Sequence, residues 1–275
     1  MTDLEKAVQA IERGLLTAVN IKGRPQEGMS LLERMAYFNV PGFSIALIDQ
    51  DEVVWARGYG VLEAGGDEPV TDETIFQAGS ISKPVSAMIA LHLVEAGLLD
   101  LDADVNEALR SWQVPENEHT QTHKVTLRGL LSHTAGLTVS GFRGYPSEAQ
   151  LPTMQQILDG EPPANSDPVR VMQTPGTGYS YSGGGYVLVQ QLIEDVTGRP
   201  FAALAQELIF DKLEMANSTF DSLLPEAYLP QAATAHRING NPVPGKWHTY
   251  PEQPAASLWS TPSDLTRLIV EVLKS

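Results

Sequence analysis

The sequence predicts a mixed α and β fold: a mainly helical region joined to an antiparallel sheet that looks incomplete in this chain. Three observations lead there. Residues 43–48 and 53–59 are two apolar runs joined by the polar turn Asp49-Gln50-Asp51-Glu52, a β-hairpin signature. From Lys83 onward the apolar spacing is mostly helical. No second strand pair of similar quality follows, and two strands alone are marginal in water. With 275 residues, 42 % hydrophobic and 19 % charged, the chain is long enough for one large domain. We expect one unit over 1–275, with N-terminal helices and the hairpin in 1–75 and the mainly helical part in 76–275.

The elements follow in order. Leu4, Val8, Ile11, Leu15 and Leu16 recur at helical spacing and predict an amphipathic helix over 4–19. Residues 21–27 read as a linker. A short helix over 30–38 starts at Ser30, with Glu33 three residues later as in a capping box. Pro41-Gly42 breaks it, and the hairpin follows. Residues 74–76 read extended. Helices are expected over 83–96, closed by Gly97, and over 125–132, with Thr126 as N-cap. Residues 140–180 are rich in Gly, Pro and Ser and read as a long loop around a short helix near 154–158; long loops of this kind are often functional. Further helices are expected over 184–196, closed by Gly198-Arg199-Pro200, and over 201–213. Residues 230–254 read as irregular. Thr261-Pro262-Ser263-Asp264 opens a last helix, with Thr as N-cap, Pro at the first position and an acid at the third.

Composition narrows the function. A formal charge of −16 argues against nucleic acid and anionic membrane surfaces as partners, since both need basic patches. The chain has no cysteine, which removes disulfides, thiolate metal sites and a Cys nucleophile. Its six His show no metal-ligand spacing, so a zinc site is not expected. The start Met1-Thr2-Asp3-Leu4-Glu5-Lys6 has no basic n-region, and no run approaches a membrane span. The expected compartment is the cytoplasm.

Ser80-Ile81-Ser82-Lys83 carries the most chemical information. It opens a strongly apolar helix, so Ser80 lies near unpaired backbone N–H groups and the positive end of the helix dipole. The i,i+3 spacing places Lys83 on the same face, within reach of the Ser80 hydroxyl. A serine hydroxyl is a poor nucleophile until a base takes its proton, and a desolvated lysine can be that base. The competing reading is a simple N-cap.

Two further segments qualify. Thr174-Pro175-Gly176-Thr177-Gly178-Tyr179-Ser180-Tyr181-Ser182-Gly183-Gly184-Gly185-Tyr186 is a Gly-rich loop running into a helix. It lacks the spacing and the lysine of a phosphate loop. A tyrosine near a lysine ammonium has its phenolate favoured and can shuttle a proton. Leu130-Leu131-Ser132-His133-Thr134-Ala135-Gly136-Leu137 reads as a helix end with a Gly C-cap, and His133 as a structural histidine.

The motifs G-S-I-S-K-P, L-L-S-H-T-A-G-L, P-G-T-G-Y-S-Y-S-G-G-G-Y followed by L-I-E-D-V-T-G, and P-A-A-S-L-W-S-T-P-S-D-L stand in an order that resembles the serine β-lactamase-related family. That family groups class C β-lactamases, DD-peptidases and β-lactamase-like carboxylesterases. The resemblance runs from Val40 to the end and implies a β-lactamase/transpeptidase-like fold. It also implies that Ser80 is acylated, that Lys83 activates it, and that Tyr181 is the partner acid or base. The Ser80 N–H would form half of an oxyanion hole. Tyr179 is a rival for the tyrosine role, because Tyr179-Ser180-Tyr181 offers two registers. The reaction implied is two-step acyl transfer through acyl-Ser80, with no cofactor.

Two departures from the family matter. Gly183 stands where the family often has Asn, whose amide would bind Lys83 and a substrate carbonyl; this leans towards esters over amides or β-lactams. The third motif, K-T-G or H-x-G on a β-strand, is not found after Tyr181. We therefore expect the C-terminal strands to be missing, the chain being a fragment or one whose sheet a second chain or subunit completes. The expected function is a carboxylesterase acting on a small-molecule ester or amide. The alternatives are an acylation-only penicillin-binding-like protein, and a β-lactamase or D-amino-acid peptidase. Phe142 and Tyr145, on the long loop, are expected to shape the acyl pocket, with His248 at its mouth and Gly183 and Tyr179 as further substrate-binding residues. Trp259 reads as core, and Asp264 as a helix cap.

Overall fold

The computed structural model describes residues 2–274 except 18, 20, 24, 26 and 27. Helix α1, Asp3–Arg13, opens with a capping box from Thr2 and Glu5. It stops well short of the expected 19, because Gly14 turns the chain and Leu15 pairs with Met29. Ala18, within the expected helix, and part of the expected 21–27 linker lie outside the described residues. Helix α2, Leu31–Tyr37, starts with the expected Ser30–Glu33 capping box.

The hairpin is β1, Gly42–Asp49, and β2, Glu52–Gly60, paired antiparallel from Gly42↔Gly60 to Asp49↔Glu52 with an irregularity after Leu47. Phe43, Ile45 and Leu47 alternate onto one face with Trp55 and Tyr59 across from them. These residues and Val8, Ile11 and Leu15 line an apolar cavity of about 310 Å³. The last helix, α8, Pro262–Lys274, packs on the hairpin. Its N-terminus uses Thr261, whose hydroxyl accepts the Asp264 N–H. Asp264 itself caps nothing in its helix, contrary to expectation. Its buried carboxylate accepts from the Asn217 N–H and the Ser218 hydroxyl, both at 2.8 Å, and ties α8 to the preceding layer.

Between these ends lies the helical region. Helix α3 is Ser82–Glu95, α4 Leu127–Leu131, α5 Met154–Asp159, α6 Gly183–Thr197 and α7 Phe201–Ala205. The expected helix over 201–213 loses α-geometry after Ala205 and continues as one π-turn to Phe210. Helix α6 is buried from Gly183 to Ile193 and is the axis of the main core. Ile89, Leu127, Leu130, Ile157, Leu158, Leu188, Leu192, Phe201, Phe210 and Phe220 pack around it. Burying side chains of this size contributes about 1.5–3 kcal/mol each.

Two two-residue strand pairs and one isolated bridge escaped the sequence reading. Strand β3, Phe76–Gln77, pairs with β6, Trp259–Ser260, and β4, Tyr145–Pro146, pairs with β5, His248–Thr249. The third contact is the parallel bridge of Ile75 with Ala232. Trp259, Ile75 and Ala232 form a second small core, so the expectation of a core Trp259 matches the structure. Among the described residues, β1 and β2 form a two-stranded sheet. No described helix is long and apolar enough to cross a membrane.

Candidate active site

The turn bearing Ser80 is built by residues from far along the chain. Strand β3 delivers the backbone to Ala78, whose N–H donates to the Leu258 carbonyl at 2.8 Å. Gly79 then takes φ +53° and starts a 3₁₀ turn, Gly79–Ile81. Ser80 thus precedes α3 instead of capping it. Ser82 locks the turn: its buried hydroxyl donates to the Gly79 carbonyl at 2.6 Å and accepts the Leu258 N–H at 3.0 Å. Helix α3 follows at once and holds Lys83 one turn on.

Lys83 is 5 % exposed. Its Nζ donates to Ser80 Oγ at 3.1 Å and to the Ala255 carbonyl at 2.7 Å. The carbonyl belongs to Gln253–Ser257, a π-helical turn packed against α3; Ser86 also donates to the Pro254 carbonyl there. The amine is therefore held by two acceptors and aimed at one oxygen.

Tyr181 closes the group from the other side. Its hydroxyl lies 2.9 Å from Ser80 Oγ, and the Lys83 Nζ sits 5.0 Å from its ring centre. Burial raises the phenol's pKa, but polar contact with Lys83 and Ser80, together with the Lys83 charge, more than offsets this and lowers it. Tyr186, one turn into α6, is pushed up to about 12 by burial and by Tyr181, and donates to the Leu131 carbonyl. Two tyrosines beside one lysine thus differ in acidity in opposite directions.

The Gly-rich entry to α6 is a packing device. The Gly183 and Gly184 N–H groups donate to the Ser140 and Val139 carbonyls, and Ser182 caps Gly185. These donors are occupied from within the chain, which removes the phosphate-loop reading. A Cβ on Gly183 would stand 3.0 Å from Phe142 Cε2 and 3.2 Å from the Ser140 carbonyl. Gly183 is buried behind Phe142 and does not face the cavity, against the expectation that it binds substrate.

A cavity of about 290 Å³ opens over Ser80, lined by Gln77, Gly79, Ser80, Lys83, Gly141, Phe142, Tyr250, Ala255 and Ala256. Phe142 lies where expected. His248 does not: its ring faces the Arg143 carbonyl at 2.9 Å, and its own carbonyl accepts from Gln77, so it holds a wall from behind. Tyr179 is 71 % exposed, outside the cavity, with its ring edge-on to His133. Tyr145 is buried on β4, and its hydroxyl accepts the Asn165 N–H.

The sequence reading missed Gln77, Tyr250 and the Ala255 carbonyl; the P-A-A-S-L-W-S-T run contained the last without naming a role for it. It also missed Glu252, which is fully buried beside this turn. Its carbonyl accepts the Ala255 and Ala256 N–H groups, while both carboxyl oxygens find no hydrogen-bond partner among the described residues. Burial lifts its pKa to about 7. No group of three or more His, Asp or Glu side chains able to hold a metal occurs among the described residues.

The comparisons agree with this architecture. The family model described as Beta-lactamase matches residues 31–275. Penicillin-binding protein 4 of Amycolatopsis lactamdurans is 28 % identical over 239 residues, covering 83 % of this chain and 58 % of that protein. Esterase EstB of Burkholderia gladioli is 29 % identical over 183 residues, covering 64 % of this chain and 46 % of that protein. The octameric penicillin-binding protein homologue from Pyrococcus abyssi superposes with a TM-score of 0.68 at 26 % identity, covering 89 % of this chain and 55 % of that one. The chain thus spans about half the length of the relatives it matches. On the match over residues 31–275 and this shared fold, the chain belongs to the beta-lactamase family.

Proposed function

We propose that this chain is a serine hydrolase that cleaves small-molecule esters through a covalent acyl-Ser80 intermediate. One observation carries the reading: a lysine amine and a tyrosine hydroxyl both lie within hydrogen-bond reach of the same serine oxygen, at 3.1 and 2.9 Å. Ser80 Oγ attacks the ester carbonyl and its proton passes to the Tyr181 phenolate, which the Lys83 charge favours. The Ser80 N–H donates to the developing oxyanion. Tyr181 then returns the proton to the leaving alkoxide. A water attacks acyl-Ser80, gives its proton to Tyr181, and Ser80 takes that proton back as the acid leaves.

The cavity supports an uncharged acyl group. Phe142, Tyr250, Ala255 and Ala256 supply mostly apolar wall, and Gln77 supplies a polar side chain. Lys83 is the one charged side chain among the described lining, and it is engaged with Ser80 and Ala255. A substrate carboxylate would find no second cation there. The similarity to Esterase EstB of Burkholderia gladioli points the same way.

The test is intact mass after incubation with a fluorophosphonate, followed by turnover of p-nitrophenyl esters. A single adduct with loss of fluoride on the wild type, absent in Ser80→Ala, is expected. No adduct on a folded wild type, or an adduct retained in Ser80→Ala, overturns the reading.

A further inference from the structure

We propose that His133 is a positioning residue for Tyr181: it grips the peptide groups on both sides of that tyrosine and so fixes the phenol against Ser80. The proposal rests on the acyl-serine reading above and adds a residue to it. The His133 carbonyl accepts the Ser180 N–H at 2.8 Å, and its Nδ1 accepts the Ser182 N–H at 3.1 Å. Tyr181 lies between these two anchors. The imidazole also lies against the tyrosine ring, with centres 4.4 Å apart, and touches Tyr186 and Tyr179 at 5.4 and 5.9 Å.

The backbone at His133 is set for this. Helix α4 ends at Leu131 with Ser132 as C-cap, and the expected Gly cap is not used there. His133 instead takes φ +59°, a left-handed conformation that costs a β-carbon-bearing residue energy and persists where the surroundings demand it. The next two N–H groups, Thr134 and Ala135, both donate to the Gly129 carbonyl and hold the turn. Gly136, at φ +68°, then passes so close to Gln173 that a Cβ would stand 2.2 Å from its carbonyl oxygen. A strained residue with two acceptors aimed at flanking peptides is a clamp, and glycine, which suits the same backbone, could supply only one of the two.

The acceptor role requires a neutral imidazole with its proton on Nε2. The titratable groups facing it are Lys83 from α3, Tyr186 from α6, and Tyr179 and Tyr181 from the loop. Burial and the Lys83 charge both lower the imidazole's pKa and keep Nδ1 free to accept. Asn tolerates a left-handed backbone, and its Oδ1 stands where Nδ1 does, so it can replace the anchor.

The experiment measures the rate of fluorophosphonate adduct formation by intact mass in the full chain. The proteins are wild type, H133A, H133N, Y181F and H133A/Y181F. H133A is expected to slow labelling about 10- to 100-fold, part of what loss of the proton acceptor costs. H133N should recover to within about threefold of wild type, since the lost acceptor is restored. In the Y181F background, H133A should add nothing further, because its effect passes through Tyr181. Where H133A is unfolded by circular dichroism, H133Q takes its place; its amide lies one bond too far out to serve Ser182. Labelling of H133A (or H133Q) at the wild-type rate overturns the proposal, as does failure of H133N to recover. So does an equal slowing with Phe at position 181, which would mark a general structural role. Absence of any adduct on folded wild type overturns the acyl-serine reading and this proposal with it. A labelled wild type with an indifferent H133A overturns this proposal alone.

Discussion

Glu252→Gln should make the protein more stable at alkaline pH while leaving it unchanged in acid. Glu252 is fully buried, its carboxyl oxygens have no partner among the described residues, and burial raises its pKa from 4.5 to about 7. Below 4.5 the carboxyl is protonated whether the chain is folded or not, and stability does not depend on it. Between 4.5 and about 7 the folded protein keeps the proton that the unfolded chain releases, so stability falls as pH rises. Above about 7 both forms are ionised, and the folded state carries a buried, unpaired charge. Each pH unit in that window corresponds to about 1.4 kcal/mol, so the full cost is about 3 kcal/mol at pH 8. A neutral amide of the same shape does not ionise and avoids it. For a chain of this size the difference amounts to about 6–12 °C in melting temperature. The assay is urea or thermal unfolding of both proteins from pH 4 to 9. The curves should coincide near pH 4 and separate through neutrality, with the variant higher. Asp264 is also raised by burial and tilts both curves alike, so the difference isolates Glu252. Parallel curves across the range, or a wild type no less stable at pH 8 than the variant, would refute the reasoning.

Four other substitutions test separate parts of the structure. Tyr181→Phe should slow ester turnover by about 10²–10⁴, the usual worth of a positioned proton acceptor. Tyr179→Phe, altering an exposed ring outside the cavity, should stay within a few-fold; the reverse result would put the proton relay on Tyr179. Gly183→Ala places a methyl 3.0 Å from the Phe142 ring and must displace that wall. It should raise KM for p-nitrophenyl esters and lower stability by about 1 kcal/mol, and an unchanged KM would detach Phe142 from the substrate. Asp264→Ala leaves the Asn217 N–H and the buried Ser218 hydroxyl without their shared acceptor. A loss of about 2–4 kcal/mol in urea unfolding is expected, and less than 1 would show the site relaxes freely.

What could be read from the sequence is what closes over a few residues. The Ser30–Glu33 box, the Thr126 and Thr261 caps and the Gly198 stop all work within one helical turn, and each occurs where expected. The hairpin was readable because its partner strand follows after two residues. The proximity of Lys83 to Ser80 came from i,i+3 spacing in the same way. The rest depends on partners far away. Strands β3 and β6 are two residues each and gain meaning only from a pairing across 182 positions between Gln77 and Trp259. Ser80 and Tyr181 are 101 apart, and only the family resemblance put them together. His248 has the composition of a pocket residue, yet the pairing of β5 with β4 turns its ring to Arg143. Nothing near Glu252 marks it as buried; the helices and loops that cover it come from elsewhere in the chain.

The clamp on the Ser80 turn also sets the order in which the protein can mature. Ala78, Ser82 and Lys83 are held by Leu258 and Ala255, contacts that span 172 to 180 residues. Closing so long a loop is entropically slow, and non-local pairings form late in folding. During synthesis Ser80 leaves the ribosome as part of an unclamped segment and stays so until Ala255 and Leu258 have emerged. The hydrogen-bonded geometry around Ser80 is therefore complete only once Ala255 and Leu258 have docked.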